Sequence, residues 1–231
     1  MAVFTVLSVT LLVALCSSVT QGVSISNSGD GNVVRLNVVQ DVWLERPGTN
    51  YNGWKYLLVG RHTQFPLKRS LIQFEDFSYG NCPANKIRWA KMYLYFVYAH
   101  KASWHSVTRS PYLSHKIQVH TVKRRWAESQ ATSSRPLIGQ SWSQTYLGLN
   151  NRDAESRPQS GSAYIYTYRP RGFVEFDVTR AVRDWRSGRQ SNYGLLLKVK
   201  DEKRNGRDLR FASNGEVDSK KHAFINVMCN Y

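Results

Sequence analysis

Residues 172–198 have the sequence GFVEFDVTRAVRDWRSGRQSNYGLLLK, and this stretch decides the fold of the chain. Its apolar positions follow the i, i+3, i+4, i+7 spacing of one helix face: Val178, Ala181, Val182 and Trp185. They predict one short helix near residues 178–187, and Gly188 is placed to end it. Residues 193–199 then form a nearly continuous apolar strand. Because so short a helix is not stable alone, it must pack against the end or edge of a sheet.

The other segments are short and β-prone, with turn residues between them. This pattern predicts an all-β fold, an antiparallel, jelly-roll-like β-sandwich with one short helix. The predicted strands are residues 33–39, 42–45, 56–60, 70–75, 87–98, 116–122, 173–178, 193–199, 209–212 and 223–229. Alternation along the fifth of them assigns four side chains to the core: Met92, Leu94, Phe96 and Tyr98. The opposite face carries Tyr93 and Tyr95, so either a loop covers it or it is an exposed aromatic platform.

Further motifs occur in order along the chain: QDVW (40–43), YLLVG (56–60), RSLIQF (69–74), IRWAKMYLYF (87–96), VHTVKRRWAE (119–128) and RFAS (210–213). Together with FDVT (176–179) and NYGLLLK (192–198), they resemble the DNRLRE-type domains, which are classed among the carbohydrate-binding modules. Phe173 stands roughly where those domains often have Trp. The resemblance covers nearly all of the chain beyond residue 35. It implies a β-sandwich with a carbohydrate-binding role.

The first 22 residues have no charged side chain and contain an apolar run followed by small residues. They predict a secretory signal peptide over residues 1–22. A membrane anchor is the alternative, but the apolar run is short for the roughly 20 residues that span a bilayer. No other stretch could cross a bilayer. We therefore expect a secreted, extracellular protein with no transmembrane segment and a single domain over residues 23–231.

Two cysteines, Cys82 and Cys229, are left once the signal peptide is removed. An even number of cysteines in an oxidising compartment predicts a disulfide between them. Two free thiols or an intermolecular bridge are the alternatives. The chain has no C-x-x-C motif, so the predicted bond is structural rather than catalytic.

The formal net charge of +16 is distributed unevenly. Between Phe77 and Ala127 there is no Asp or Glu, but there are nine Lys or Arg residues. A field of this sign attracts polyanions and speeds their encounter. For a secreted protein we expect an acidic or sulfated polysaccharide as the partner, and no specific nucleic acid. The alternative is that the charge serves solubility alone.

Sugar binding uses flat aromatic faces, and acidic sugars add Arg or Lys. Four tryptophans lie at periodic positions that predict the core: Trp43, Trp89, Trp126 and Trp185. The candidate ligand contacts are three tryptophans in polar, loop-like segments: Trp54, Trp104 and Trp142. The candidate cations lie in predicted strands or at their ends: Lys55, Arg61, Lys68, Arg69, Arg207 and Arg210. Salt bridges to nearby carboxylates are an alternative role for each cation.

Catalytic motifs are absent: the chain has no H-E-x-x-H, no G-x-S-x-G and no glycine-rich phosphate loop. Glycoside hydrolysis needs two facing carboxylates, and no pair can be nominated because Asp177 is expected to cap the helix. We therefore expect no enzyme, with a polysaccharide lyase as the catalytic alternative. No cofactor is expected apart from a possible Ca²⁺ ion, for which Asp30, Asn32 and Asp41 supply oxygen donors.

The sequence thus favours a secreted, non-catalytic, lectin-like protein that binds acidic polysaccharides in extracellular matrix or mucus. A structural matrix or skeletal protein is the alternative from another class. The 13 tyrosines and the positive charge would then serve assembly with acidic macromolecules.

Overall fold

The computed structural model describes residues 25–28, 31–61, 66–78, 80–99, 114–166, 168–203 and 208–230. Trp104, Arg207 and the predicted signal peptide lie outside the described residues. The described part contains eleven strands and one α-helix: β1 (Ile25–Ser28), β2 (Gly31–Leu44), β3 (Tyr56–Arg61), β4 (Leu67–Phe74), β5 (Ile87–Ala99), β6 (Ser114–Thr121), β7 (Ala163–Tyr166), β8 (Gly172–Asp177), α1 (Thr179–Arg186), β9 (Leu195–Val199), β10 (Leu209–Ala212) and β11 (Phe224–Cys229).

The strands form two antiparallel layers, which confirms the predicted all-β sandwich. The first layer contains β1, the N-terminal half of β2, β11, β5 and β8. β10 continues the line of β11 along the same edge of β5, and β3 pairs with β10. The second layer contains the C-terminal half of β2, then β4, β9, β6 and β7.

β2 runs through both layers. It pairs with β11 as far as Asn37 and with β4 from Val38 onward, and the register shifts between Val38 and Gln40. Such a bulge bends a strand, which lets its 14 residues serve two sheets. The sequence predicts two strands here, because the polar residues Gln40 and Asp41 interrupt the apolar pattern. It also does not predict β1 and β7, each of which is four residues long.

The main core lies between the layers. Met92, Leu94 and Phe96 of β5 are fully buried, as their alternation predicts. Tyr98, the fourth side chain assigned to the core, is only half-buried, because the register with β10 shifts beside it and its hydroxyl accepts from Arg210. The first three face buried side chains of the second layer, such as Ile72 and Leu197, within one cluster. The sandwich is therefore closed by apolar contacts from both sheets, which are its main source of stability.

The outer face of β5 is aromatic. Tyr93 stacks on Phe224 of β11, with 4.9 Å between ring centroids. Phe173 of β8 packs edge-to-face against Tyr95 at 5.3 Å and keeps 37% of its surface exposed. Rings from three neighbouring strands therefore cover one another on this face.

The predicted helix is confirmed as Thr179–Arg186. Ala181 and Val182 are fully buried in the main core, and Trp185 packs half-buried against it. The backbone N–H of Ala90 donates to Thr179 Oγ1 at 2.9 Å, which fixes the start of the helix to β5. The apolar face of α1 is thus buried against the sandwich.

Residues 123–162 form a second, smaller core on the outer face of the second layer. Trp126 and Trp142 from this segment are buried beside Leu71 of β4 and Leu196 of β9. Asp153 accepts backbone N–H groups from two positions of the segment, at 2.7 and 3.0 Å, and so fixes its path. The sequence predicts long surface loops over most of this segment because it is polar and poor in strand patterns.

Cys82 and Cys229 form the predicted disulfide, with 5.9 Å between their Cα atoms. The bond joins the segment before β5 to the end of β11, across a sequence separation of 147 residues. In the chain-entropy description, closing so long a loop stabilises the fold by roughly 5 kcal/mol.

No helix among the described residues has the length and apolar character needed to cross a membrane.

Two buried ionisable side chains have pKa values far from their usual range. Burial raises the pKa of Asp41 to about 7, opposed by a hydrogen bond from the Asn214 N–H and reinforced by the nearby carboxylate of Glu128. Burial lowers the pKa of His120 to about 4, although its Nδ1 donates to the Glu155 carbonyl at 2.9 Å. The two groups therefore act on stability in opposite directions over the same pH range.

We predict that Asp41→Asn raises the free energy of unfolding at pH 8 by about 1–4 kcal/mol. Between about pH 4 and 7, folded Asp41 keeps a proton that the unfolded chain has released, so its contribution falls as pH rises. Between about pH 6.5 and 4, unfolded His120 takes up a proton that the folded residue does not, so its contribution falls as pH falls. Urea unfolding across this range should show stability rising with pH in Asp41→Asn and falling with pH in His120→Gln. Parallel profiles for the two variants would contradict both assignments.

Candidate functional site

The turn between α1 and β9, residues 187–194, is fixed by its glycines. Gly188 follows the helix with φ of +72°, and Gly194 precedes β9 with φ of +79°. For a residue with a side chain, this left-handed backbone conformation costs roughly 1–2 kcal/mol of conformational energy. Gly194 also lies against β4: an added Cβ would overlap the carbonyl oxygen of Ile72 and lie 2.8 Å from Cα of Gln73. Only glycine allows this close approach.

Side chains from neighbouring segments bind the same turn. Gln73 Nε2 donates to the carbonyl of Asn192 at 2.7 Å, and Trp126 Nε1 donates to the carbonyl of Tyr193 at 2.8 Å. Asn192 Nδ2 in turn donates to the carbonyl of Phe74 at 2.9 Å. The turn is therefore tied both to β4 and to the second core.

Three adjoining depressions surround this turn. The first, of about 620 Å³, and the second, of about 500 Å³, share Asn192 and Tyr193. The third, of about 710 Å³, shares Arg186 with the second. We call the three together the α1–β9 groove. Its lining residues are Gln40, Gln73, Asp76, Phe77, Pro83, Ala84, Asn85, Arg125, Trp126, Ala127, Gln130, Leu137, Ile138, Gln140, Arg183, Trp185, Arg186, Ser187, Gly188, Arg189, Gln190, Ser191, Asn192 and Tyr193.

Aromatic rings form the apolar part of the groove. Tyr193 lies between the first and second depressions, and Trp185 lines the second. Both are half-buried, whereas Trp126 is only 2% exposed. A partly open aromatic ring with polar groups around it is the surface on which a sugar ring stacks.

Hydrogen-bond donors line the first depression. Arg125 is exposed and has no carboxylate partner within the described part of the chain. Gln130 Oε1 accepts the backbone N–H of Ile138 at 2.9 Å, and Gln140 Oε1 accepts from Arg124 at 3.3 Å. Both glutamines are therefore oriented by their oxygens and have their amide nitrogens left to donate.

Three arginines line the third depression, and backbone carbonyls hold two of them. Arg183 Nε and Nη2 donate to the carbonyl of Ile87 at 3.1 and 2.6 Å. Arg186 Nε donates at 3.0 Å to the carbonyl of Cys82, a residue that the disulfide fixes. Arg189 extends from the turn with most of its side chain in solvent. Carbonyl oxygens orient a guanidinium without neutralising its charge.

The groove is cationic. Its described lining includes four arginines and one carboxylate, that of Asp76. A concave surface of one sign concentrates ligands of the opposite sign. The arrangement can therefore stack sugar rings, donate hydrogen bonds to hydroxyl groups and attract anionic substituents.

Lys68 and Arg69, which the sequence nominates as ligand contacts, are engaged within the fold. Lys68 is buried, with its Nζ 3.1 Å from Asp208 Oδ2 and 3.6 Å from Glu45 Oε1. Arg69 makes two bonds to Glu202, at 2.7 and 2.8 Å, and two more to backbone carbonyls. The structure gives both cations partners that hold β4 to its neighbours.

Lys55 and Arg210 meet around one tyrosine, away from the groove. Their charged groups lie 5.1 and 5.6 Å from the ring centroid of Tyr56, and Arg210 Nη1 donates to the hydroxyl of Tyr98 at 2.7 Å. Arg61 is exposed at the end of β3. None of the three nominated cations lines the α1–β9 groove.

The nominated tryptophans differ in exposure. Trp54 is 55% exposed and packs edge-on against Trp43 and Tyr51, at 6.0 and 5.9 Å between centroids. Trp142 is 5% exposed, and its Nε1 donates to the carbonyl of Thr132 at 2.9 Å. Trp142 is therefore part of the second core, and Trp54 is a ring open to a ligand outside the groove.

Of the three oxygen donors considered for Ca²⁺, the structure describes the side chain of Asp41 alone. Asp30 and the side chain of Asn32 lie outside the described residues. Asp41 is buried, and its Oδ2 accepts the N–H of Asn214 at 2.7 Å. No group of three or more His, Cys, Asp or Glu side chains that could hold a metal is found among the residues described.

The groove residues are not among those the sequence nominates. Trp185 and Tyr193 have the periodicity of a helix and a strand, which predicts core positions. Arg125 lies 58 residues before Arg183, which is in α1, and Arg189 follows α1. No motif in the sequence indicates that these three arginines share a surface. The feature of the sequence that could have indicated this site is the polar turn between α1 and β9, which has one glycine near its start and another at its end.

The sequence model of carbohydrate-binding module family 96 matches residues 32–226 of the chain. The match includes every residue of the α1–β9 groove. The chain matches none of the curated proteins.

We predict that Gly194→Ala lowers the free energy of unfolding by about 3 kcal/mol or more, because the new Cβ would overlap the backbone of β4. Gly188→Ala is the matched control, since its φ is also positive but nothing lies within 4 Å of the new Cβ. Gly188→Ala should lower the free energy of unfolding by about 1–2 kcal/mol. Urea unfolding of both variants measures the difference, and equal losses would show that the close approach does not matter.

Proposed function

Because the chain belongs to carbohydrate-binding module family 96, we propose that it binds acidic polysaccharides without cleaving them and holds the sugar chain in the α1–β9 groove. The observation that carries the proposal is the lining of this groove. Half-buried Tyr193 and Trp185 provide stacking surfaces, and the described lining contains four arginines but only one carboxylate. Arginine pairs strongly with carboxylate and with sulfate-like oxyanions.

The lining also supports a non-catalytic role. Hydrolysis of a glycosidic bond uses two carboxyl groups on either side of the scissile bond, and the described lining offers only Asp76. A polysaccharide lyase is the catalytic alternative. An assay for the absorbance of unsaturated uronate products tests it directly, because a lyase forms that chromophore and a binding module does not.

We further propose that the protein is secreted and acts in an extracellular matrix or mucus layer. Two observations support this location: the predicted signal peptide over residues 1–22, and the Cys82–Cys229 disulfide, since such bonds persist in oxidising compartments. Acidic and sulfated polysaccharides are the abundant polyanions in these layers. The net charge of +16 then favours their capture.

We predict that Tyr193→Leu and Arg125→Ala each weaken binding to polygalacturonate or heparin by about ten-fold, which is about 1.4 kcal/mol. Tyr193→Leu keeps an apolar side chain and removes the flat ring. Arg125→Ala should also reduce the slope of log K against log salt by about one, by analogy with polyanion binding to nucleic-acid proteins. Calorimetric titration at two ionic strengths measures both effects.

Two variants outside the groove serve as controls for this experiment. Trp54→Leu removes an exposed aromatic ring and Arg61→Ala removes an exposed cation, and neither residue lines the groove. Both should bind as tightly as the unchanged protein. If Trp54→Leu weakens binding and Tyr193→Leu does not, the sugar chain lies near Trp54 and the groove assignment is wrong.

A second candidate function, a structural matrix component, is favoured by three exposed tyrosines on and beside β7. Tyr164, Tyr166 and Tyr168 are 57%, 45% and 62% exposed. Open phenol side chains at alternate positions are available for cross-linking between molecules. Treatment with a peroxidase and hydrogen peroxide should then give dityrosine fluorescence and covalent oligomers, which Tyr164→Phe, Tyr166→Phe and Tyr168→Phe together should abolish.

A further inference from the structure

The third depression of the α1–β9 groove is the most cationic part of its lining. Arg183 and Arg186 lie one helical turn apart in α1, and Arg189 follows three residues later. Asn85 and Ser187 add polar groups to the same depression, and none of its described lining residues is acidic. Beside the depression, Asp184 Oδ1 lies 3.3 Å from Arg189 Nε.

Structural roles account for part of this cluster. Cations in the last turn of a helix interact favourably with its dipole, and this applies to Arg183 and Arg186. Their bonds to the carbonyls of Ile87 and Cys82 also tie α1 to the segment before β5. Arg189 lies beyond the helix, and its Nε contacts Asp184 Oδ1 and Ser187 Oγ at 3.3 and 3.2 Å. Because 72% of its side chain is exposed, this surface pair is expected to add little to stability. Like charges at neighbouring positions repel one another, so the fold tolerates the cluster at a cost.

From this arrangement we infer that the third depression binds a sulfate ester group of the polysaccharide that occupies the groove. The inference rests on the proposed function and names the substituent that the groove selects. The guanidinium groups of Arg183 and Arg186 are held by carbonyl oxygens, so their positive charge is oriented before the ligand arrives. Arg189 then closes on the anion from the exposed side.

The number of donors distinguishes a sulfate ester from a carboxylate. A carboxylate has two acceptor oxygens in one plane, which a single guanidinium satisfies with two parallel bonds. A sulfate ester, like a phosphate ester, has three terminal acceptor oxygens in a pyramidal arrangement, and no single guanidinium can reach all three. Three guanidinium groups around one depression match the second geometry. Arg125, alone at the other end of the groove, matches the first.

The test compares heparin with chemically desulfated heparin, which keeps its uronate carboxylates, as ligands of the full chain. Arg189→Gln should weaken binding to heparin by about three- to ten-fold and leave binding to desulfated heparin unchanged. Asp184→Asn removes the carboxylate beside Arg189 and should strengthen binding to heparin by a few-fold. Arg171→Gln, an exposed arginine outside the groove, is the control and should leave both affinities unchanged.

Thermal unfolding of each variant first establishes that it is folded, which is expected because Arg189 is exposed. If Arg189→Gln lowers the affinities for heparin and for desulfated heparin equally, the depression attracts anions without selecting sulfate, and the inference is wrong. If Arg189→Gln has no effect while Tyr193→Leu still weakens binding, the sulfate site is rejected and the groove is retained. If the unchanged protein binds neither ligand nor polygalacturonate, the proposed function itself is rejected.

Discussion

The passage of Gly194 against β4 is the contact on which the surrounding surface depends. A helix and a strand must join there within a few residues, and the backbone lies too close to Ile72 and Gln73 for any side chain. This approach puts the carbonyls of Asn192 and Tyr193 within reach of Gln73 and Trp126. Because hydrogen bonds hold the turn from both sides, the backbone positions of its side chains are fixed. A binding surface built in this way loses little conformational entropy when a ligand arrives.

The chain carries 32 Lys and Arg against 16 Asp and Glu, so its cations outnumber its carboxylates two to one. The buried cations of β4 have carboxylate partners. Lys68 has Asp208 and Glu45, and Arg69 has Glu202, because a buried charge without a partner costs several kcal/mol. Nearer the surface some cations pair with carboxylates, such as Lys91 with Glu175, whereas Arg183 contacts a backbone carbonyl and Arg210 an aromatic ring. The excess positive charge is therefore left on the outside, where it can act on a ligand.

The fold follows from the sequence far better than the site does. Alternation in β5 and helical spacing in α1 are local patterns, and each predicts its element and most of its buried face. Tyr98 is the exception in β5, because the register shift with β10 is not a local property of the sequence. The second core was missed because residues 123–162 pack by side-chain hydrogen bonds such as those of Asp153, without a periodic pattern. For the same reason the sequence nominates Trp142 as a ligand contact, although the structure buries it. The groove was missed because its residues come from separate segments that only the tertiary fold brings together.

Lys68 and Arg69, which the sequence nominates, differ from Arg183 of the groove in what holds them. The strand residues Lys68 and Arg69 are held by carboxylates, and a polyanion would have to displace those partners before it could bind. In the groove, Arg183 is held by the neutral carbonyl of Ile87, so a polyanion would gain its charge without displacing a carboxylate. The cost of binding a polyanion would therefore be lower at Arg183 than at these two strand cations, although both surfaces are basic. For a chain this basic, the partner of each cation indicates a binding surface better than the position of the cation in the sequence.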